Sequence, residues 1–250
     1  MGRTHSYGAI SNDTGQQGIT RQLLGGVGVC YWKQLVSGMH LDDHLHCVEY
    51  VVVPAGSSIG THRHERTEEV YYILHGSATM NLNGKARQVS AGDLILTPLG
   101  ASHGIANFSR QDMAFFVVEV FPGRAEPGMP QEPVCIPLRS QMKPTSWPGA
   151  NATPRSASVD LVRYFSGNRA QITLFQLPAA EELAFAEGEG RDEVFFVVEG
   201  QAKITFGEDC VCGGAGLCLA LPATMSRRVA NVSLDSPLEV IRVEVYQPEH

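Results

Sequence analysis

Two stretches decide the fold of this sequence: Gly56-Ser-Ser-Ile-Gly-Thr-His62-Arg-His64-Glu-Arg-Thr-Glu-Glu69-Val-Tyr-Tyr-Ile-Leu-His-Gly76 and Gly92-Asp-Leu-Ile-Leu-Thr-Pro98-Leu-Gly100-Ala-Ser-His103-Gly-Ile-Ala-Asn107. His62 and His64 are two residues apart, so both imidazoles leave the same face of an extended strand. A short polar loop, residues 65–68, turns the chain before Glu69, and His103 follows a Pro-x-Gly turn on a later strand. Three imidazoles and one carboxylate suit a divalent first-row metal. The two stretches therefore predict a metal site.

Length and charge limit the possible classes of protein. The chain has 250 residues, enough for one large domain or two of about 120, and its net charge is −7. Nucleic acid binds to basic surfaces, so we expect no nucleic-acid partner. Residues 1–17 are polar and lack the apolar region of an export signal, and no run approaches the roughly 20 apolar residues of a membrane span. We expect a soluble, cytoplasmic protein without membrane contact.

The six cysteines are scattered along the chain. Without an export signal, this distribution favours free thiols over a disulfide framework. Cys210 and Cys212 are close in sequence, but no second pair or nearby histidine completes a zinc ligand set.

Short β-branched or aromatic runs recur along the first half, separated by Gly, Pro, Asn or Asp. The runs are Val48 to Val53, Val70 to Leu74, Ala78 to Leu82, Asp93 to Thr97 and Met113 to Phe121. Their spacing predicts an all-β sandwich or barrel. The pair Asn83-Gly84 suits a tight hairpin. Before these runs we expect a flexible arm over residues 1 to about 20 and a first strand pair within Gln22 to Val36.

The composition changes between Pro122 and Ser158, where eight of the fourteen prolines fall. Proline cannot donate a hydrogen bond to a sheet ladder, so we expect a linker without regular sheet. Strands are predicted to resume at Val159 to Phe165 and Gln171 to Leu177.

The second half of the chain repeats the first at a constant offset of 124 residues. This offset aligns residues 69–76 with residues 193–200. It also places four landmarks, Gly92, Pro98, Ser102 and Asn107, on residues of the same type. A register kept over this span indicates a duplicated domain.

The second copy has lost the ligand histidines. The positions of His62, His64 and His103 are taken by Ala186, Gly188 and Arg227, while Glu193 corresponds to Glu69. One carboxylate cannot hold a metal, so we expect the second copy to keep only the fold. Because a lone buried charge is costly, we predict a buried ion pair between Arg227 and Glu193. The alternative is that Arg227 extends to water.

At these residues the chain resembles the cupins. The pattern Gly-x5-His-x-His-x4-Glu-x6-Gly is met by Gly56, His62, His64, Glu69 and Gly76, and Gly-x5-Pro-x-Gly-x2-His-x3-Asn by Gly92, Pro98, Gly100, His103 and Asn107. With the duplication, the resemblance extends to two-domain bicupins. It implies an all-β fold of two tandem cupin barrels, of the double-stranded β-helix or jelly-roll type, with the metal inside the first. We divide the chain into an N-terminal arm (1–24), an N-terminal barrel with the metal site (25–121), a Pro-rich linker (122–158) and a C-terminal barrel with a degenerate site (159–250).

The resemblance leaves the function open, because one fold supports many activities. It also leaves the metal open, because cupins use iron, manganese, nickel, cobalt or zinc at this site. The repeat predicts one divalent metal per chain, and we favour Fe2+. Four protein ligands on an octahedral metal would leave room for a chelating small-molecule substrate or for substrate and dioxygen. The first hypothesis is a non-haem Fe(II) dioxygenase. Its rivals are a redox-neutral isomerase, decarboxylase or lyase, and a non-catalytic small-molecule-binding or regulatory bicupin. Both a monomer and a homodimer fit the sequence.

Three assignments beside the site need a choice. The Glu-x6-Gly spacing and the repeat both select Glu69 as the ligand, which leaves Glu68 on the outer face or in the loop. Strand alternation from Glu69 sends Tyr71 toward the interior, where it is a candidate catalytic acid or base; a purely packing role fits equally well. A second His-x-His, His44-Leu-His46, lacks motif partners and is interpreted as exposed histidines in a loop or at a strand start.

Overall fold

The computed structural model describes residues 9–10, 17–37, 45–123, 132–147, 150, 152–166, 170–185, 191–222 and 225–246. In the first half of the chain the strands are β1 (Ala9–Ile10), β2 (Gly18–Arg21), β3 (Val29–Ser37), β4 (Leu45–Val53), β5 (Ser58–Arg63), β6 (Glu68–His75), β7 (Ser77–Leu82), β8 (Lys85–Ser90), β9 (Leu94–Thr97), β10 (Ser102–Ala106), β11 (Met113–Val120), β12 (Val134–Ile136) and β13 (Lys143–Pro144). In the second half they are β14 (Arg155–Asp160), β15 (Ala170–Leu177), β16 (Glu182–Phe185), β17 (Arg191–Glu199), β18 (Gln201–Phe206), β19 (Asp209–Gly214), β20 (Cys218–Leu221), β21 (Arg227–Asn231) and β22 (Leu238–Tyr246). Short 3-10 turns lie at Leu23–Gly25, Arg139–Gln141 and Leu161–Arg163.

The N-terminal barrel consists of two antiparallel sheets that face each other. Its larger sheet has the order β12-β9-β6-β11-β4-β3-β2, and its smaller sheet has the order β5-β10-β7-β8. Along each strand the apolar side chains alternate toward the space between the sheets. There they form one buried cluster that includes Val51, Ile73, Met80, Ile105 and Phe115.

The C-terminal barrel repeats this arrangement. Its larger sheet has the order β1-β20-β17-β22-β15-β14-β13 and its smaller sheet β16-β21-β18-β19, around a cluster that includes Phe175 and Phe195. The repeat extends to the backbone, because Gly76 and Gly200 have φ values of 79° and 92° at equivalent turns. An all-β fold of two tandem barrels is thereby confirmed.

The barrels pack through the outer faces of their larger sheets. A third buried cluster joins Tyr72, Phe116 and Val118 of the first barrel to Phe196 and Ile241 of the second. The rings of Phe116 and Phe196 are 4.6 Å apart between centroids. Strand β6 therefore has one face in the first barrel's interior and the other against the second barrel.

The expected flexible arm is wrong where the structure describes it. Gly18–Arg21 forms a strand that pairs with β3, with Gly18 opposite Trp32. Further upstream, Ala9 pairs with Leu219 of the second barrel. The reason is that β3 and β20 would otherwise leave open ladder edges, which these two strands cover. The first strand pair thus joins β2 to β3 around the turn at Leu23–Gly25.

The Pro-rich segment also contains sheet, contrary to expectation. Val134–Ile136 lies between two prolines and pairs with β9 as an edge strand, where a missing donor costs little. Arg155–Asp160 pairs with β15 along its whole length. The strand predicted at Val159 to Phe165 is wrong beyond Asp160, because Asp160 caps a 3-10 turn by accepting a hydrogen bond from Val162 N at 3.2 Å.

Two local expectations are confirmed. Asn83 and Gly84 both have positive φ, 47° and 84°, and join β7 to β8 in a two-residue hairpin. All six cysteines are free thiols. Within the described ranges, no helix has the length and hydropathy needed to cross a bilayer.

Candidate metal centre

The four predicted ligand residues meet at one end of the N-terminal barrel. His62 lies on β5 and pairs directly with His103 on β10, so both belong to the smaller sheet. His64 follows β5, and Glu69 reaches across from β6 of the larger sheet. The ligand-type atoms of these four side chains all lie within 4.8 Å of one another. The structure therefore brings together the four residues that the sequence spacing singled out.

The innermost contacts of this group are short. Nε2 of His64 lies 3.1 Å from Nε2 of His103. Oε2 of Glu69 lies 2.9 Å from Nε2 of His103 and 3.3 Å from Nε2 of His64. These two contacts lack hydrogen-bond geometry, so Glu69 Oε2 is a buried oxygen without a hydrogen-bond partner among the described residues.

A divalent metal fits this arrangement. Metal–nitrogen and metal–oxygen distances near 2.0–2.1 Å place two ligands at right angles about 3 Å apart, as found for the three contacts above. Facing nitrogen lone pairs and a buried carboxylate repel each other unless a cation lies between them. Imidazole nitrogen with one carboxylate is also a donor set that first-row metals accept.

The imidazoles are oriented by hydrogen bonds on their outer sides. His62 Nδ1 donates to the carbonyl of Gly60 at 3.0 Å. His103 Nδ1 lies 2.9 Å from the buried hydroxyl of Thr97. A proton on Nδ1 leaves the Nε2 lone pair of each ring directed at the common point. Thr97 was not predicted from the sequence.

The charges in the cluster favour a neutral histidine beside an ionised carboxylate. Burial lowers the pKa of His62. Burial alone would raise the pKa of Glu69, but His103 and His64 outweigh it and hold that pKa well below its usual range. Burial likewise opposes protonation of His64, but the charge of the adjacent Glu69 outweighs it and raises the pKa of His64. Glu69 is therefore ionised and available as a ligand.

Glu68 points away from the cluster, as predicted, but it is not solvated. It is only 1% exposed and lies on the outer face of β6, against the C-terminal half of the chain. Its carboxylate accepts hydrogen bonds from Ser166 N at 2.9 Å, from Ser166 Oγ at 3.1 Å and from Leu99 N at 3.2 Å. Glu68 thus fixes the strand that carries Glu69.

Tyr71 lies inside the barrel beside the metal centre. Its ring packs between His103 and Phe115, at centroid distances of 4.8 and 4.4 Å. Burial, together with the nearby charge of Glu69, raises the pKa of Tyr71 well above its ordinary value. The hydroxyl is therefore protonated. Its predicted catalytic role stays a prediction.

A cavity of about 590 Å³ opens in front of the centre. Its lining includes His62, His64, Glu69 and Tyr71 together with two carboxylates that sequence reasoning missed, Glu49 of β4 and Glu119 of β11. Burial, then the charges of Glu69 and Glu49, raise the pKa of Glu119 to about 7. Burial and the charge of Glu69 also raise the pKa of Glu49.

The sequence feature that could have identified these two acids is their place in the alternation of inward and outward residues along each strand. Glu49 has the same parity as Val51 on β4, and Glu119 has the same parity as Val117 on β11, so both point inward with core residues. A carboxylate at an inward position of an apolar strand is a candidate functional group. Antiparallel pairing then places Glu119 directly opposite Glu69.

The second His-x-His is partly described. His46 is exposed near the start of β4, which confirms the interpretation for this residue; His44 lies outside the described residues. His46 Nε2 is 3.8 Å from Glu119 Oε2, and with Cys47 the three could approach one ion. His46 therefore gives Glu119 a partner outside the cavity lining.

The equivalent end of the C-terminal barrel contains an ion network. Arg227 Nε donates to Glu193 Oε2, which confirms the predicted buried pair. Arg242, not predicted, donates to Glu193 Oε1 and lies 3.0 Å from Glu244 Oε1. Glu193 is fully buried and Arg227 is 4% exposed. Two guanidinium groups occupy the space that corresponds to the metal centre.

Comparison with known proteins agrees with this architecture. Residues 49–119 match the Cupin domain family. Over 94 residues, 38% of this chain and 78% of the relative, the sequence is 36% identical to an oxalate-binding protein of Thermotoga maritima. A putative glyoxylate-induced protein of Pseudomonas aeruginosa superposes with a TM-score of 0.74 at 15% identity, covering 88% of this chain and 82% of that one. A substituted oxalate decarboxylase of Bacillus subtilis superposes with a TM-score of 0.66 at 16% identity, covering 97% and 78%. The two structural likenesses concern the fold.

Proposed function

The chain belongs to the cupin superfamily, and we propose that it is a metal-dependent enzyme acting on a small carboxylate in its N-terminal barrel. The observation that carries this proposal is the convergence of His62, His64, Glu69 and His103 beside an open cavity, which the first three residues line. Its relative in Thermotoga maritima, an oxalate-binding protein by name, supports a carboxylate as the ligand class.

The metal, one divalent ion per chain, would act as a Lewis acid toward a carboxylate or carbonyl oxygen. The chain's own residues do the remaining work. Glu49 and Glu119 face the cavity and are groups able to exchange a proton with a bound ligand. Tyr71 packs its ring against His103, and the apolar wall at Val51 reduces access of water.

The two cavity carboxylates favour a redox-neutral reaction, a decarboxylation or an elimination, because both reactions require a proton to be added or removed. The Fe(II) dioxygenase suggested by the ligand types is the second candidate. What favours it is the apolar side of the cavity, formed by Val51, Ile59 and Val117, which suits a small apolar gas molecule.

The first test is elemental analysis of protein purified without added metal. We expect about one equivalent of a divalent transition metal per chain, with Fe2+ or Mn2+ foremost, and its removal by a chelator. Protein that contains no metal and takes none up when Fe2+, Mn2+, Co2+ or Zn2+ is supplied would overturn the proposal.

The second test compares turnover of small carboxylates, including oxalate, glyoxylate and hydroxy acids, in air and under strict anaerobiosis. Turnover without oxygen that disappears in chelator-treated protein supports the redox-neutral enzyme. Oxygen consumption that matches substrate loss supports the dioxygenase instead. Metal-dependent binding without turnover of any member would identify a binding protein and overturn the enzyme.

A further inference from the structure

We infer that the ligand of the N-terminal barrel carries an ammonium group beside its carboxylate, as an amino acid does, and that Glu49 and Glu119 receive this group. The inference rests on the proposed function, since it assumes a metal-held carboxylate in this cavity. It goes further by assigning the part of the ligand that the metal does not hold.

The first step is position. Strand β11 lies between β4 and β6, with Val117 opposite Glu49 and Glu119 opposite Glu69. The three carboxylates therefore stand on adjacent strands, and all three line the same cavity. A small ligand in contact with Glu69's metal lies within reach of the other two acids.

The second step is charge. Glu49, Glu69 and Glu119 line the same cavity, and among the described residues neither Arg63 nor Arg66, which also line it, forms an ion pair with Glu49 or Glu119. A divalent metal would balance Glu69 and would leave Glu49 and Glu119 without a bonded cation on the cavity side. A dianion such as oxalate adds negative charge beside these two acids, whereas an ammonium group forms charge-assisted hydrogen bonds to both.

The third step is the second barrel, where the chain supplies such a cation itself. Arg242 pairs with Phe195 and Val117 pairs with Tyr71, so Arg242 stands where Val117 stands in the first barrel. Its guanidinium contacts Glu193 and Glu244, the counterparts of Glu69 and Glu119. Valine supplies no cation at this place in the first barrel, and we assign the cation there to the ligand.

The test uses the full-length protein loaded with Co2+ and isothermal titration calorimetry with two probes, glycine and oxalate. We expect Glu49→Gln and Glu119→Gln each to shift the ratio of the two dissociation constants about tenfold toward oxalate. Glu132→Gln, a change to an exposed acid paired with Lys85, is the matched control and should leave the ratio unchanged.

A double variant removes both acids at once. Glu49→Gln combined with Glu119→Gln keeps all four metal-ligand residues, so it should retain Co2+ uptake but weaken glycine binding about tenfold or more. Co2+-loaded variants whose ratio equals that of the wild type, or a double variant that binds glycine normally, would overturn the inference alone. Wild-type protein that takes up none of Fe2+, Mn2+, Co2+ and Zn2+ would overturn the proposed function together with it.

Discussion

The N-terminal and C-terminal barrels present a buried glutamate at the same place on the same strand, and they neutralise it in different ways. Glu69 faces three imidazoles, an arrangement that a metal completes. Glu193 faces Arg227 and Arg242, and the network is complete without any ligand. Both solutions satisfy the requirement that a buried carboxylate have a cationic partner.

The difference separates folding from function. The C-terminal barrel keeps its sheets, its turns and its core without histidines at the ligand positions. The barrel therefore does not need His62, His64 or His103 in order to form. Their presence in the first barrel is better explained by the metal that they would hold, and Glu193 is better explained by stability.

The largest effect is expected from Glu193→Gln, which removes the charge between two guanidinium groups. Loss of one partner of a buried ion pair costs about 3–5 kcal/mol, and chemical denaturation should show a decrease of this size in the free energy of unfolding. Glu182→Gln, in an exposed pair with Arg228, is the control and should change it by less than about 1 kcal/mol. Equal stability of the two variants would show that the network does not replace a metal structurally.

The next largest effect is expected from His103→Ala, a change to the most buried imidazole of the centre. Loss of a direct ligand should weaken metal binding by more than about 100-fold, since loss of outer partners alone costs 10–100-fold. Competition with a coloured chelator measures this change. Arg227→Ala, at the equivalent position, should leave metal content at one per chain. Two tightly bound equivalents in the wild type would contradict the assignment of the second barrel.

The sequence was sufficient to predict the fold, the four clustered residues and the Arg227–Glu193 pair, because the repeat keeps one register through these positions. Arg242 was missed for a definite reason. The loop after Asn231 is one residue longer than the loop after Asn107, so the last strand follows an offset of 125 residues. The evidence is a pair of equivalent hydrogen bonds: Asn107 Nδ2 donates to Gln111 O, and Asn231 Nδ2 donates to Ser236 O. The constant offset aligned Arg242 with the wrong neighbour.

The cavity acids were missed for another reason. Glu49 and Glu119 lie far apart in sequence, and each stands within a strand that otherwise resembles core. Only the pairing of β11 with both β4 and β6 brings them to Glu69. Local pattern indicates which way a side chain points, but strand order determines which side chains meet.

A smaller and equal effect in both barrels is expected from Asn107→Ala and Asn231→Ala. Asn107 Nδ2 donates to Val53 O at 2.9 Å, and Asn231 Nδ2 donates to the equivalent Leu177 O at 3.3 Å. Removing a buried amide leaves carbonyls unpaired, so each variant should lose about 1–3 kcal/mol in denaturation while metal content is unchanged. A metal loss confined to Asn107→Ala would show that this motif residue serves the site and not the turn.

The smallest effect is expected at Thr97, whose hydroxyl orients His103 from 2.9 Å and whose place in the second barrel is taken by Leu221. Thr97→Val keeps the shape of the side chain but removes the acceptor for His103 Nδ1, so the imidazole can adopt the wrong tautomer. Metal affinity should fall about tenfold, at the lower end of the effect of losing a residue that hydrogen-bonds to a metal ligand. The reciprocal change, Leu221→Thr, restores the hydroxyl where Arg227 replaces the imidazole and should create no metal binding. Unchanged affinity in Thr97→Val would mean that packing by Tyr71 alone orients His103, and the loss of threonine from the second barrel would then be unrelated to the loss of its histidines.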